Sequence, residues 1–150
     1  MTFGICSGPE NASALAAAGC AYLEVNVQSH LMPLEPEEKF GPVLAQLNAA
    51  AVRCTHANCF LPGALKVTGP AVDGTALRHY VTSACMRASR AGISLIVFGS
   101  GGARQIPDGF DRDTAGRQLL EFARMAGDIA GRHGVTIVVE PLNQRECNVF

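Results

Sequence analysis

Glu140 closes the otherwise apolar run Val135-Thr136-Ile137-Val138-Val139, and Pro141 follows it at once. A carboxylate at the end of a β-run can hold a hard divalent cation or move a proton as a general acid or base. The following residues, Pro141-Leu142-Asn143-Gln144-Arg145-Glu146, bring a second carboxylate into the same short segment. Three other segments carry reactive groups. Glu24 lies in the alternating run Tyr22-Leu23-Glu24-Val25-Asn26-Val27. His56 lies between two thiols in Cys54-Thr55-His56-Ala57-Asn58-Cys59, and Arg104 ends the glycine-rich Phe98-Gly99-Ser100-Gly101-Gly102-Ala103-Arg104. The Cys-His-Cys segment lacks the four ligands in two pairs of a structural zinc site. Strand alternation would put residues 54, 56 and 58 on one face and Cys59 on the other. The glycine run could present backbone N–H groups to a phosphate. The next helix starts too far along the chain to add its dipole, so a flexible substrate loop is expected, with Arg104 as an anion contact.

These groups need elements to hold them, and the chain alternates short β-like runs with longer helical stretches. Strands are expected at Phe3 to Cys6, Tyr22 to Val27, Val52 to Cys59, Ile93 to Phe98 and Val135 to Glu140. The first helix runs from Ala12 to Ala18, with Asn11 or Ser13 as its cap and Gly19 as its stop. Pro36, Glu37 and Glu38 suit a helix first turn. Phe40, Val43, Leu44, Leu47 and Ala51 continue that helix, and Pro42 predicts a kink or a late start. Asp73 caps a third helix with the stripe Leu77, Tyr80, Val81, Ala84, Cys85 and Ala88. A fourth runs from about Asp111 to His133, with Glu121–Arg124 and Asp128–Arg132 spaced to pair on its outer face. The continuous apolar run Ile93 to Phe98 reads as a strand buried on both faces.

Composition narrows the class. The 150 residues are 48% hydrophobic and 17% charged, which is enough apolar material for a core. A net charge of −1 gives no general attraction for phosphate, so a nucleic-acid partner is not expected. No apolar run approaches the roughly 20 residues of a membrane span, and the N-terminus lacks a basic signal-like region. The six cysteines contain no C-x-x-C pair and read as reduced, mostly core residues. A cytoplasmic location is expected.

Strands alternating with helices imply parallel pairing and right-handed crossovers, hence an α/β fold. Two architectures fit. A flavodoxin-like open sheet would make the chain a complete small-ligand-binding or regulatory domain without metal chemistry. A (β/α)8 TIM barrel needs eight strands and about 250 residues. The chain runs only ten residues past Glu140, into what reads as a loop. That ending predicts the N-terminal part of a single barrel domain over residues 1–150, with strands 1–5 and four helices, cut after strand 5.

The segment Glu140-Pro141-Leu142-Asn143 resembles the motif after strand five in the sugar phosphate isomerase/epimerase family, whose fold is the xylose isomerase-like TIM barrel. Ketose 3-epimerases share that motif. Gly19-Cys20-Ala21-Tyr22-Leu23-Glu24 is similar to the family's entry to strand two, and Phe98 to Arg104 is similar to the end of strand four in several members. Gln144 and Arg145 stand where those epimerases usually have Arg and then an aromatic residue. The resemblance therefore names no particular sugar.

By this resemblance Glu140 is a ligand of a divalent metal, Mn²⁺ or Mg²⁺, and one of two glutamates that move a proton beside a carbonyl. The reaction implied is isomerisation or epimerisation of a small sugar or sugar phosphate through an enediolate, stabilised as the metal withdraws charge. Glu146 is implied to contact substrate oxygens. The family's other metal ligands come from strands six to eight, so these residues alone are expected to be inactive. His56 resembles a metal-binding histidine of the related endonuclease IV family. The second histidine of that family has no counterpart in Gly99-Ser100-Gly101-Gly102, so DNA repair is not expected. That leaves His56 as a pocket-lining residue or a satisfied strand-end histidine. Glu24 is expected to point into the barrel mouth and anchor loops. His30, His79 and His133 receive no role. Strands one and five would lack closing neighbours, which predicts self-association through exposed edges.

Overall fold

Val25, Ala57, Ile96 and Ile137 stand in one row across a parallel sheet, each paired with the next. The computed structural model that carries this row describes residues 2–149. Its strands are β1 (Gly4–Cys6), β2 (Tyr22–Asn26), β3 (Cys54–Asn58), β4 (Leu95–Phe98) and β5 (Thr136–Val139), in spatial order β1-β2-β3-β4-β5. The helices are α1 (Ala12–Ala17), α2 (Glu37–Ala49), α3 (Gly74–Arg90), the single turn α4 (Gly101–Arg104) and α5 (Arg112–Arg132).

The row of Val25, Ala57 and Ile96 is fully buried, as are Leu23 and Phe98 on the same face. The partner row Glu24, His56, Leu95 and Thr136 is only half-buried or exposed. Side chains alternate across a strand, so every helix must pack on the first face. The helices meet it with Phe40 and Leu47 of α2, Leu77, Tyr80, Val81, Ala84, Cys85 and Ala88 of α3, and Ala115, Leu119, Phe122, Ala126 and Ile129 of α5. Phe60, Phe98 and Phe122 form the aromatic centre, with ring centroids 5.1–6.5 Å apart. One helical layer on a sheet whose strands follow chain order is part of a (β/α)8 barrel, open between β1 and β5 among the described residues. The flavodoxin-like alternative fails, because it requires helices on both faces and a strand order that reverses.

Several local expectations are corrected. β4 is buried on its helical face only, since Leu95 and Val97 are half-buried. Helix α2 starts at Glu37 and continues through Pro42. Pro42 and Glu38 are both exposed, so water can serve the Glu38 carbonyl that loses its helical donor. Val27–Leu31 forms a π-helical turn after β2, which the alternating pattern of that run did not announce. Glu121 and Arg124 form no ion pair, and Arg132 instead donates to the Asp128 carbonyl at 3.0 Å. Both long-helix caps are in place. Asp73 accepts from Thr75 and Ala76 N–H at 3.0 Å, and Asp111 accepts from Thr114 N–H at 2.8 Å. No helix among the described residues is long and apolar enough to cross a membrane. All six thiols are free, but only Cys54, Cys85 and Cys147 are buried, whereas Cys6 and Cys59 are exposed.

Candidate active site

A parallel sheet brings the C-terminal ends of its strands to one rim, and the open face of this sheet carries its polar groups there. Cys6 pairs with Glu24, Glu24 with His56, and Asn26 with Asn58. The Cys6 thiol donates to Glu24 Oε1 at 3.4 Å. Burial, and then the Glu24 carboxylate, push this thiol above its ordinary value, so it stays protonated and acts as a donor. Asn58 acts in the opposite direction, drawing the thiol's value down by less than burial and Glu24 raise it. Glu24 lies half-buried on the open face, held by the end of β1.

His56, in the same row as Glu24, has a defined seat. Its ring stacks on Tyr22 with centroids 4.3 Å apart, and its Nδ1 lies 2.8 Å from Thr55 Oγ1. Tyr22 in turn lies across Gly4, where any Cβ would collide with its ring. The β2–β3 register slips between Leu23 and Glu24, so Cys54 pairs with Leu23 and is buried with it, while Ala57 pairs with Val25. This bulge moves Cys54 to the helical face, away from His56, and corrects the simple alternation. Among the described residues no three His, Cys, Asp or Glu side chains converge to hold a metal ion.

Glu140 extends the β4–β5 ladder by one step, its N–H donating to the Phe98 carbonyl at 3.1 Å. Its carboxylate lies over Gly99, and a Cβ there would sit under 3.0 Å from Oε2. Gly99 is buried beneath this carboxylate, which shares the open face with Glu24 and His56. Glu146 lies in the loop that follows β5. Its Oε2 accepts from Asn143 Nδ2 at 2.6 Å, closing the loop that follows β5. By itself Glu140 supplies at most one ligand to a metal, and the described residues do not complete a site.

The glycine run is neither a phosphate cradle nor a flexible loop. Gly101–Arg104 is a helical turn pressed between two neighbours. A Cβ on Gly101 would lie 2.8 Å from the Glu146 carbonyl, and one on Gly102 would lie 3.3 Å from the Gly63 Cα. Arg104 is fully buried and presents no surface to an anion. Its guanidinium donates to the carbonyls of Glu140 (2.6 Å) and Phe98 (3.4 Å) and packs 5.4 Å from the Phe98 ring.

Met32, Cys59 and Ser100 have left-handed backbones with φ of 49°, 51° and 40°. Each lies in the segment leaving β2, β3 or β4, so unfavourable conformations gather at this rim. The loop after β2 is held from both sides. Gln28 donates to the Cys59 carbonyl at 2.9 Å, and buried Arg87 donates to the carbonyls of Leu31, Met32 and Glu35. The sequence reading missed Cys6, Asn58 and Tyr22. The signal available was positional, because each stands on the same face as Glu24 or His56 once the strands are set parallel.

The model of the xylose isomerase-like TIM barrel family matches residues 12–150. Among solved structures, the chain is similar to D-psicose 3-epimerase from Clostridium cellulolyticum H10, with a TM-score of 0.75 and 16% identity over 97% of this chain and 54% of that one. It is similar to 3-keto-D-glucoside 4-epimerase from E. coli, with a TM-score of 0.69 and 14% identity over 95% and 57%. A sugar phosphate isomerase/epimerase from Parabacteroides distasonis ATCC 8503 matches with a TM-score of 0.64 and 15% identity over 92% and 50%. The chain spans about half the length of each of these structures. No curated protein sequence matches it. With one helical layer on a sheet in chain order and a family match over nearly its whole length, the chain belongs to the xylose isomerase-like TIM barrel family.

Proposed function

We propose that residues 1–150 form the N-terminal part of a barrel that isomerises or epimerises a small sugar or sugar phosphate in the cytoplasm. The observation that carries this reading is the Glu140 carboxylate, set over Gly99 at the rim where the strands end. There Glu140 removes a proton from the carbon beside a carbonyl, and the electron pair stays on the substrate as an enediolate. A second acid–base group, from outside these residues, returns a proton on the opposite face. Glu24, anchored by Cys6, and His56, seated on Tyr22, bind substrate hydroxyls from the other side of the mouth. With Nδ1 engaged by Thr55, His56 has Nε2 left for that contact. Glu146, tied to Asn143, contacts substrate oxygens from the loop after β5. A divalent ion, Mn²⁺ or Mg²⁺, beside Glu140 needs further donors that these residues do not supply.

The test is wash-in of solvent deuterium into a panel of ketoses by the full-length protein, followed by mass spectrometry. Glu140→Gln is expected to lower the exchange rate by roughly 10²-fold or more, as loss of a positioned acid–base group does. Wild-type exchange that survives this substitution would remove Glu140 from the chemistry. The 150-residue chain is further proposed to self-associate through the β1 and β5 edges, where Phe3 (69% exposed), Leu120 (58%) and Val139 (52%) face solvent. Analytical ultracentrifugation that finds a monomer at all concentrations would refute the association.

A further inference from the structure

We infer that Arg104 is a positioning residue for Glu140, an assignment that rests on the proposed role of Glu140 in proton transfer. A guanidinium placed in full burial must be met by acceptors, because stripping it of water is costly. Arg104 meets carbonyls at the ends of two neighbouring strands, Phe98 of β4 and Glu140 just past β5. The Phe98 carbonyl also accepts the Glu140 N–H at 3.1 Å. Glu140 is therefore held at both backbone groups, its N–H by β4 and its carbonyl by Arg104. The next residue is Pro141, which has no N–H to continue the ladder. Without Arg104, the strand end beyond Val139 would keep a single bond to β4.

The device has a built path to the side chain. Arg104 reaches the strand ends because Gly101–Arg104 turns back at once after Ser100, whose backbone is left-handed. Ser100 Oγ accepts from Leu61 N–H at 2.9 Å, and the Val67 N–H donates to the Ala103 carbonyl at 2.9 Å, so the turn is fixed on the segment that follows β3. Gly99, two residues before the turn closes on Gly101, leaves the space the carboxylate occupies. Fixing the backbone of residue 140 keeps the root of its side chain over the vacant Cβ position of Gly99. A positively charged donor does this better than a neutral one, since charge-assisted bonds are shorter and stronger. Lysine offers a point charge without the planar fork, so it can serve one carbonyl but not both in the same geometry.

The experiment compares Arg104→Lys, Arg104→Met and Glu140→Gln in the full-length protein, by native-state amide hydrogen exchange and by steady-state kinetics of ketose deuterium wash-in. Arg104→Met is expected to speed exchange at the Glu140 amide at least ten-fold more than at the Leu23 and Thr136 amides, which bond to Arg53 and Ser94 at the far end of the sheet. It is expected to lower kcat by roughly 10- to 100-fold with KM changed less than about three-fold, the signature of a misplaced group rather than a lost binding contact. Arg104→Lys restores part of both. Uniformly faster exchange at all three amides, or an unchanged kcat while Glu140→Gln is inactive, would overturn the inference. An active Glu140→Gln would instead overturn the proposed role of Glu140, while the exchange comparison would still decide whether Arg104 fixes the strand end. Should Arg104→Met fail to fold, the same comparison on Arg104→Lys decides the matter, with equal exchange ratios to wild type counting against it.

Discussion

The glycine run after β4 offers a graded test of how the rim is packed. Gly99, Gly101 and Gly102 all have backbones that alanine can adopt, so alanine adds only a methyl group at each. The three methyls meet different obstacles. At Gly99 the methyl would fall under 3.0 Å from Glu140 Oε2, the free end of a flexible side chain, which regains contact distance by moving roughly 1 Å. At Gly101 it would lie 2.8 Å from the Glu146 carbonyl and 3.1 Å from Leu142, so a backbone segment must shift. At Gly102 it would lie 3.3 Å from the Gly63 Cα, a contact relieved by a few tenths of an ångström. Gly101→Ala is therefore expected to cost about 1–3 kcal/mol, the usual range for overpacking. For a chain of this size that lowers the melting temperature by roughly 2–10 °C. Gly99→Ala and Gly102→Ala are expected within about 1 kcal/mol of wild type, helped by the reduced freedom of the unfolded chain. Thermal unfolding followed by circular dichroism ranks the three. Equal melting temperatures for Gly99→Ala and Gly101→Ala would refute this packing of the rim. In the full-length protein Gly99→Ala is expected to be stable yet impaired, since it dislodges the carboxylate alone.

Tyr80→Phe should destabilise the chain by about 1–3 kcal/mol in urea unfolding, because it leaves the buried Phe60 carbonyl without its donor at 2.7 Å. An unchanged midpoint would show that water reaches that carbonyl. Asp73→Ala is expected to cost about 1 kcal/mol by removing both N-terminal bonds of α3, with Asp73→Asn recovering most of it. At alkaline pH the chain should lose stability, because burial pushes the Cys85 thiol up to about 11 and also raises the Cys54 thiol and the Tyr80 hydroxyl. These groups hold their protons more tightly folded than unfolded. The stability is thus intact below the ordinary thiol value near 9 and is lost as pH rises through the folded values. The share of Cys85 is about 3 kcal/mol, so melting temperature should fall between pH 8.5 and 11, less steeply in Cys85→Ala. A flat profile would contradict it. Acid acts through Asp111, whose carboxyl is lowered by the Thr114 hydroxyl and then by the Thr114 N–H. The cap is complete above pH 4 and should weaken as pH falls through that lowered value, which native-state exchange at Thr114 would detect.

What the sequence made legible was whatever a single segment decides by itself. Glu140 could be placed at a strand end because the apolar run before it and Pro141 after it bound a strand without help from elsewhere. Asp73 was readable as a cap for the same reason, as the groups it satisfies lie two and three residues away. Arg104 was misread because its partners come from two strands, and nothing near it in sequence says that Glu140, 36 residues later, will offer a carbonyl. The glycines were misread in the same way. A run of Gly looks like freedom in a sequence, whereas Gly99, Gly101 and Gly102 are each small because something from another segment presses on them. Cys54 was put on the wrong face because alternation assumes no bulge, and the slip between Leu23 and Glu24 is a property of two strands together. The candidate site is made almost wholly of such pairings: Cys6 with Glu24, Tyr22 with Gly4 and His56, and Glu140 with Gly99 and Arg104. The family motif could point to Glu140, but only the packed rim shows that a glycine makes room for its carboxylate and a buried arginine holds its backbone.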